Sequence, residues 1–204
     1  SVAALTSLER SAWSDMRARL IEFDEPRLAL EAIDSALFCV SLQLEEVSDH
    51  RDAIWRHARD RDIDSRWYDK SMQLLVFGDG AAGFCFERSA IDPDIAVSFA
   101  DSVAQRSLEA PSVIEGADQT YIRHRPPRVS WDCHDLPVWD WVSNATDAHA
   151  TESHRWIHSS LKTKTLGASI LRERGLESDA TIKMILLAAF TEHYGRLPEG
   201  FAHG

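Results

Sequence analysis

Residues 66–92 read RWYDKSMQLLVFGDGAAGFCFERSAID, and the fold is decided there. Residues 72–77 are an apolar, strand-like run, Gly78-Asp79-Gly80 is a turn signal, and residues 83–87 are a second run rich in aromatics. Two such runs about a glycine turn predict a β-hairpin. Arg88 follows, then Asp92-Pro93, and then residues 95–108, where Ile95, Phe99, Val103 and Leu108 fall roughly on one helical face. A strand that delivers a polar residue to a helix start is a common way to place a catalytic group.

Upstream of the hairpin, Thr6 and Glu9 stand three residues apart, which is a capping-box spacing, and predict a helix opening at residues 5–10. Trp13, Met16, Leu20 and Ile21 then share a face, with Trp13 read as core. Residues 23–26 (FDEP) break the chain. A second helix is predicted over 27–35. Residues 36–42 (ALFCVSL) are continuously apolar, as a buried strand is. Charges dominate residues 45–64, including His50 and His57, and predict a solvated helix.

Downstream, residues 109–127 carry Pro111, Gly116, Pro126 and Pro127 and read as loop. Residues 128–133 are a strand candidate. Residues 136–157 are a long helical region carrying Trp139, Trp141 and Trp156, aromatics read as core rather than as a nucleic-acid stacking surface. Residues 178–194 form a helix with Ile182, Ile185, Leu186, Ala189 and Phe190 as its buried stripe and Gly195 as its stop.

The 204 residues are 44% hydrophobic, enough for one sizeable core, and the formal charge is −11. That charge argues against a nucleic-acid or membrane-surface role for the chain as a whole. No apolar run approaches the roughly 18 residues of a membrane span. Three cysteines (Cys39, Cys85, Cys133) give no disulfide framework and fit a reducing, intracellular compartment. His154 and His158 share a helix face, but the Glu of a His-Glu-x-x-His motif is absent between them. Cys133 and His134 are adjacent, so in a strand they point to opposite faces. No metal site is expected.

The block at 66–92 resembles the choline/carnitine O-acyltransferase family. There an Arg-Trp-aromatic-Asp-Lys-Ser run precedes an apolar strand, a Gly turn, a strand ending in Glu, and His-x-x-x-Asp/Glu. Arg66, Trp67, Tyr68, Asp69, Lys70, Ser71, Gly80, Gly83, Glu87, Ser89 and Asp92 match in register, and the family's catalytic His falls on Arg88. Residues 161–175 and the helix after them resemble the family's CoA-binding segment. Gly167, Asp179, Ala180 and Ile182 match, Arg172 holds a lysine position, Arg174 adds charge, Ser178 stands at the helix start, and Ala168 replaces a second lysine. The family's carnitine-contacting Tyr falls on Phe201.

The resemblance runs from about residue 5 to residue 201. It implies an α/β fold of the chloramphenicol-acetyltransferase type, a mixed β-sheet flanked by helices. It implies that residues 1–204 are one region, the central part of a longer two-domain enzyme with an active-site tunnel. It also implies acyl-CoA as cosubstrate, a small hydroxyl acceptor such as carnitine, and no tightly bound cofactor. In such enzymes the His removes the acceptor's proton. Arginine has no acceptor lone pair and stays protonated, so it does not replace that base. Cys85 and Glu87 face away from Arg88 by strand alternation. Arg88 is expected to pair with Asp92 or to bind an anion. Two readings follow. One is an acyltransferase with impaired or altered chemistry. The other is a non-catalytic binding or structural module on the same fold, motivated by Arg88, Ala168 and Phe201 together.

Overall fold

The computed structural model of the chain describes residues 1–47, 50–59, 62–89, 91–109, 127–157 and 159–198. They group into two compact units, Ser1–Ser159 and Ser160–Gly204. In the first, helices α1 (Arg10–Leu20) and α2 (Asp24–Ser35) precede strand β1 (Cys39–Leu42), helix α3 (His50–Arg59), strands β2 (Met72–Val76) and β3 (Ala82–Phe86), and helices α4 (Pro93–Glu109) and α5 (Val138–Ser153). The second holds α6 (Ala168–Glu173) and α7 (Ser178–Tyr194). The fold is thus α/β.

The sheet is small and mixed, in the order β1-β2-β3. β1 runs parallel to β2, with Cys39 opposite Gln73, and β2 runs antiparallel to β3, with Gln73 opposite Cys85. The predicted hairpin forms, its turn passing through Gly80 at φ 83°. Asp79 fastens that turn: its carboxylate accepts from the Ala81 amide at 3.1 Å and from the Val47 amide at 2.9 Å. Side-chain alternation then gives the sheet two faces. Leu75 is buried in a cluster with Val47 and Phe77, against Ile54 of α3. On the other face Phe84 and Phe86 stack 5.7 Å apart, and Phe99 of α4 meets both edge-on.

The larger core lies beside the sheet. Val2, Leu5, Trp13, Leu20, Leu30, Trp67, Val138 and Ala145 belong to it. Trp67 is its centre: Trp13 meets it edge-on and Trp131 stacks on it, each at 6.0 Å between centroids.

The block at 66–70 ties these pieces together with polar bonds. Arg66, 0% exposed, donates from Nη1 to Ser41 Oγ of β1 at 2.7 Å. The Trp67 amide donates to Gln73 Oε1 of β2 at 2.7 Å. The Tyr68 amide donates to Thr6 Oγ1 at 2.9 Å. Asp69 accepts from Trp13 Nε1 and from Arg10 Nη1 of α1. Lys70, 8% exposed, donates from Nζ to the Ile33 and Asp34 carbonyls at 2.6 and 3.1 Å. These carbonyls end α2, where helix geometry leaves acceptors unpaired and a cation is favourable.

Several sequence expectations change. Residues 2–7 form a 3₁₀ helix, and α1 starts separately at Arg10 with no side-chain cap. The capping box fails because Thr6 is occupied: it donates to the Ala3 carbonyl and accepts from Tyr68. Residues 24–26 do not break the chain but open α2, because the helix's early turn tolerates the proline. β1 is not fully buried. It is an edge strand whose Val40 and Leu42 are exposed, since the α4 contacts on that face are to β3. Residues 127–133 make no strand; side chains hold them, through Trp131 and buried Cys133. α5 ends at Ser153, so Trp156 lies beyond it, and Trp139 is exposed where core was expected. α7 matches its predicted bounds and ends at Gly195, but Ile182, Ile185 and Leu186 are exposed and the helix buries no residue. Its apolar residues are spread around the helix rather than gathered in a stripe. The side chains of His50 and His57, the residues 110–126 and His158 lie outside those described.

Two substitutions test this packing. Lys70→Met removes the buried ammonium that donates to the Ile33 and Asp34 carbonyls, and is expected to lower the urea midpoint by the equivalent of about 2–3 kcal/mol. Gly78→Ala places a Cβ 2.5 Å from the Leu44 carbonyl oxygen. Backbone there must shift, and a loss of about 1–3 kcal/mol is expected in the same measurement.

Candidate active site

The turn between β3 and α4 is built by the residues on either side of Arg88. Glu87 leaves β3 with its amide donating to the Ser71 carbonyl at 3.1 Å. Its carboxylate folds forward: Oε2 accepts from the Ser89 amide at 3.0 Å and from the Ser89 hydroxyl. Its Oε1 accepts from Arg10 Nη2 at 3.1 Å. The Ser89 hydroxyl and amide, with the Arg10 guanidinium, hold the Glu87 carboxyl below the usual carboxylate range. Arg10 is a fork, since its Nη1 reaches Asp69 at 2.9 Å. The turn is therefore moored to the 66–70 block through one guanidinium.

Asp92 closes the turn from the other end. Its Oδ1 accepts from the Asp94 amide at 2.9 Å and its carbonyl accepts from the Ala96 amide at 3.0 Å, so it caps α4. Arg88 sits between these anchors, exposed. The expected ion pair between Arg88 and Asp92 does not form among the described residues, because the Asp92 carboxylate is turned toward its own helix. Cys85 is half-buried within β3, and burial pushes its thiol pKa up while the nearby Arg66 opposes the shift. It is a poor nucleophile there.

The second set of candidates lies in the other unit. Arg172 is in the last turn of α6 and Arg174 follows it, both exposed and without an ion-pair partner among the described residues. Ser178 and Asp179 open α7. The amides that a phosphate would use are already taken: Glu177 accepts from the Asp179 amide at 3.0 Å and the Ala180 amide at 2.5 Å. Those bonds lower the Glu177 pKa. Asp179 pairs with Lys183 one turn on, at 2.8 Å. Cationic side chains, rather than helix-start amides, are what this segment offers an anion. Ala168 starts α6, and Phe201 lies outside the described residues.

Sequence reasoning singled out Arg88 and Asp92 and overlooked Arg10, which fastens their turn. Helical periodicity carries no signal for it, since Arg10 works across 59 and 77 residues of sequence.

The family model described as Choline/Carnitine o-acyltransferase matches residues 1–200. The chain is 28% identical over 202 residues to peroxisomal carnitine O-octanoyltransferase of Mus musculus, covering 96% of this chain and 32% of that protein. It is 28% identical over 205 residues to mitochondrial carnitine O-palmitoyltransferase 2 of Rattus norvegicus, covering 96% and 30% respectively. It is 24% identical over 202 residues to choline O-acetyltransferase of Danio rerio, covering 96% and 32%. The chain thus spans about a third of the length of these curated relatives. With its hairpin, its 66–70 block and this match along nearly all of its length, the chain belongs to the choline/carnitine O-acyltransferase family.

Proposed function

We infer that the chain serves acyl transfer between CoA and a small hydroxyl acceptor, carnitine being the first candidate, with chemistry altered at the general-base position. One observation carries this reading: the turn that would present the base is fully framed by Glu87, Ser89 and Asp92 while residue 88 is Arg. The mixed sheet is then part of a chloramphenicol-acetyltransferase-like domain, and the chain is the central portion of an intracellular two-domain enzyme. No helix among the described residues is long and apolar enough to cross a membrane. Arg172 and Arg174 supply the positive charge that meets CoA phosphates.

The chemistry at position 88 follows from its side chain. Attack on an acyl thioester needs the acceptor's hydroxyl proton removed, by a group with a lone pair and a pKa near the working pH. A guanidinium has neither. Arg88 can hold an anion by charge and hydrogen bonds, but it cannot take that proton. A second reading, a non-catalytic module of the same family, is favoured by the same residue together with Ala168 and Phe201 at the other two departures from the family pattern.

Replacing Arg88 by His separates the two. On the first reading, Arg88→His raises thiol release from acyl-CoA with carnitine by about 100- to 10,000-fold. An unchanged background rate, together with no CoA binding by calorimetry, establishes the module reading instead. The turn also has a pH signature. The Glu87 pKa is depressed in the folded state. Its stabilising contribution is therefore present above the unfolded carboxylate pKa and is lost as pH falls through the lower folded value. Amide exchange at Ser89 is expected to accelerate, relative to its intrinsic rate, over that acidic window in the native chain and to lose this dependence in Glu87→Gln.

A further inference from the structure

Away from the β3–α4 turn, the first unit holds a cleft of about 320 Å³ between the 3₁₀ segment Val2–Ser7, Tyr68, the end of α3 and the end of α5. This is near the low end of the volumes of small-molecule sites, about 300–1,000 Å³. Two aromatic surfaces line it. Tyr68 and His149 stack at 6.1 Å between centroids and 28° between planes. Trp156 is the other, oriented by an Nε1 bond to Glu152 at 3.0 Å. Arg59 lies 5.3 Å over the Trp156 ring.

The polar groups make this more than an apolar gap. His149 Nε2 is buried and has no hydrogen-bond partner among the described residues. A buried polar atom left unsatisfied is costly, and a ligand or water that meets it recovers that cost. Ser153 offers a hydroxyl on the same wall. Charge on the wall comes in both signs, from the Glu152 carboxylate and the Arg59 guanidinium; hydrogen bonds from the Trp156 indole and Arg155, and then the nearby Arg59 charge, hold the Glu152 pKa down. A wall carrying both signs gives little advantage to a ligand with net charge of either sign.

We propose that this cleft is a binding site for a flat, uncharged heteroaromatic molecule whose edge carries an adjacent hydrogen-bond donor and acceptor. Its faces lie against the Tyr68–His149 pair and Trp156, and its edge meets His149 Nε2. A donor–acceptor edge suits either imidazole tautomer, since neutral Nε2 donates in one and accepts in the other. A bicyclic ring matches the volume. Nothing in this assignment depends on the chemistry at Arg88.

Quinazolin-4-one is a probe with these features, and calorimetry with ligand-observed NMR on the whole chain tests it. It is expected to bind with a Kd of about 1 mM or below, and roughly tenfold more tightly than naphthalene-2-sulfonate, N-methylquinolinium or the non-planar cyclohexanecarboxamide. His149→Phe keeps a ring on Tyr68 and removes the nitrogen. Trp156→Ala removes an exposed side chain on which the core does not rest. Each is expected to weaken binding about fivefold or more. The proposal is overturned if no probe binds saturably. It is equally overturned if a charged probe binds as well as quinazolin-4-one, or if Trp156→Ala leaves binding unchanged.

Discussion

Arg66 and Lys70 are two cations taken out of water within five residues of one another, and the first unit is arranged around keeping them satisfied. Burying a charge is costly unless hydrogen-bonding partners surround it. Lys70 finds its partners at the end of α2, which fixes that helix against the block. Arg66 finds Ser41 and Ser65, and Gln43 donates to the same two hydroxyls, at 2.8 and 2.9 Å. That network fixes β1 beside β2. Burial pushes the Arg66 pKa down, yet a guanidinium starts so high that it stays charged, so the requirement for partners cannot be escaped by losing a proton.

The intervening residues extend the same logic. Trp67 fills the core and lends its amide to Gln73, Tyr68 lends its amide to Thr6, and Asp69 collects Trp13 and Arg10. Every residue from 66 to 70 thus holds a different element. This is a physical reason why such a run identifies a family: it specifies the relative placement of two helices, two strands and a 3₁₀ segment. Its chemistry is structural, and Arg10 carries the placement on to Glu87.

Elements whose causes are local were legible in the sequence. The hairpin follows from two apolar runs about the Gly78–Gly80 turn, α4 from its apolar spacing, and the end of α7 from Gly195. What was not legible depends on tertiary partners. Thr6 looked like a helix cap because nothing nearby in sequence announces the Tyr68 amide. β1 looked buried because apolar character does not say whether an edge is covered. Asp92 looked like a partner for Arg88, but a carboxylate two residues before a helical amide is drawn to the cap first. The cleft at His149 gathers residues from four separate segments, and no spacing rule reaches across them.

The frame at the β3–α4 turn is indifferent to the side chain it presents. Its bonds use the Ser71 carbonyl, the Glu87 carboxylate, the Ser89 amide and hydroxyl, and the Asp92 cap, and none uses the side chain at 88. Among the described residues, the bonds of the turn therefore place no demand on that side chain. A base and a fixed cation are equally accommodated by the scaffold but are opposite in function, one taking a proton and the other holding a negative charge. The frame and the side chain at 88 rest on different interactions. Membership of the family rests on the match over residues 1–200, not on the side chain at 88.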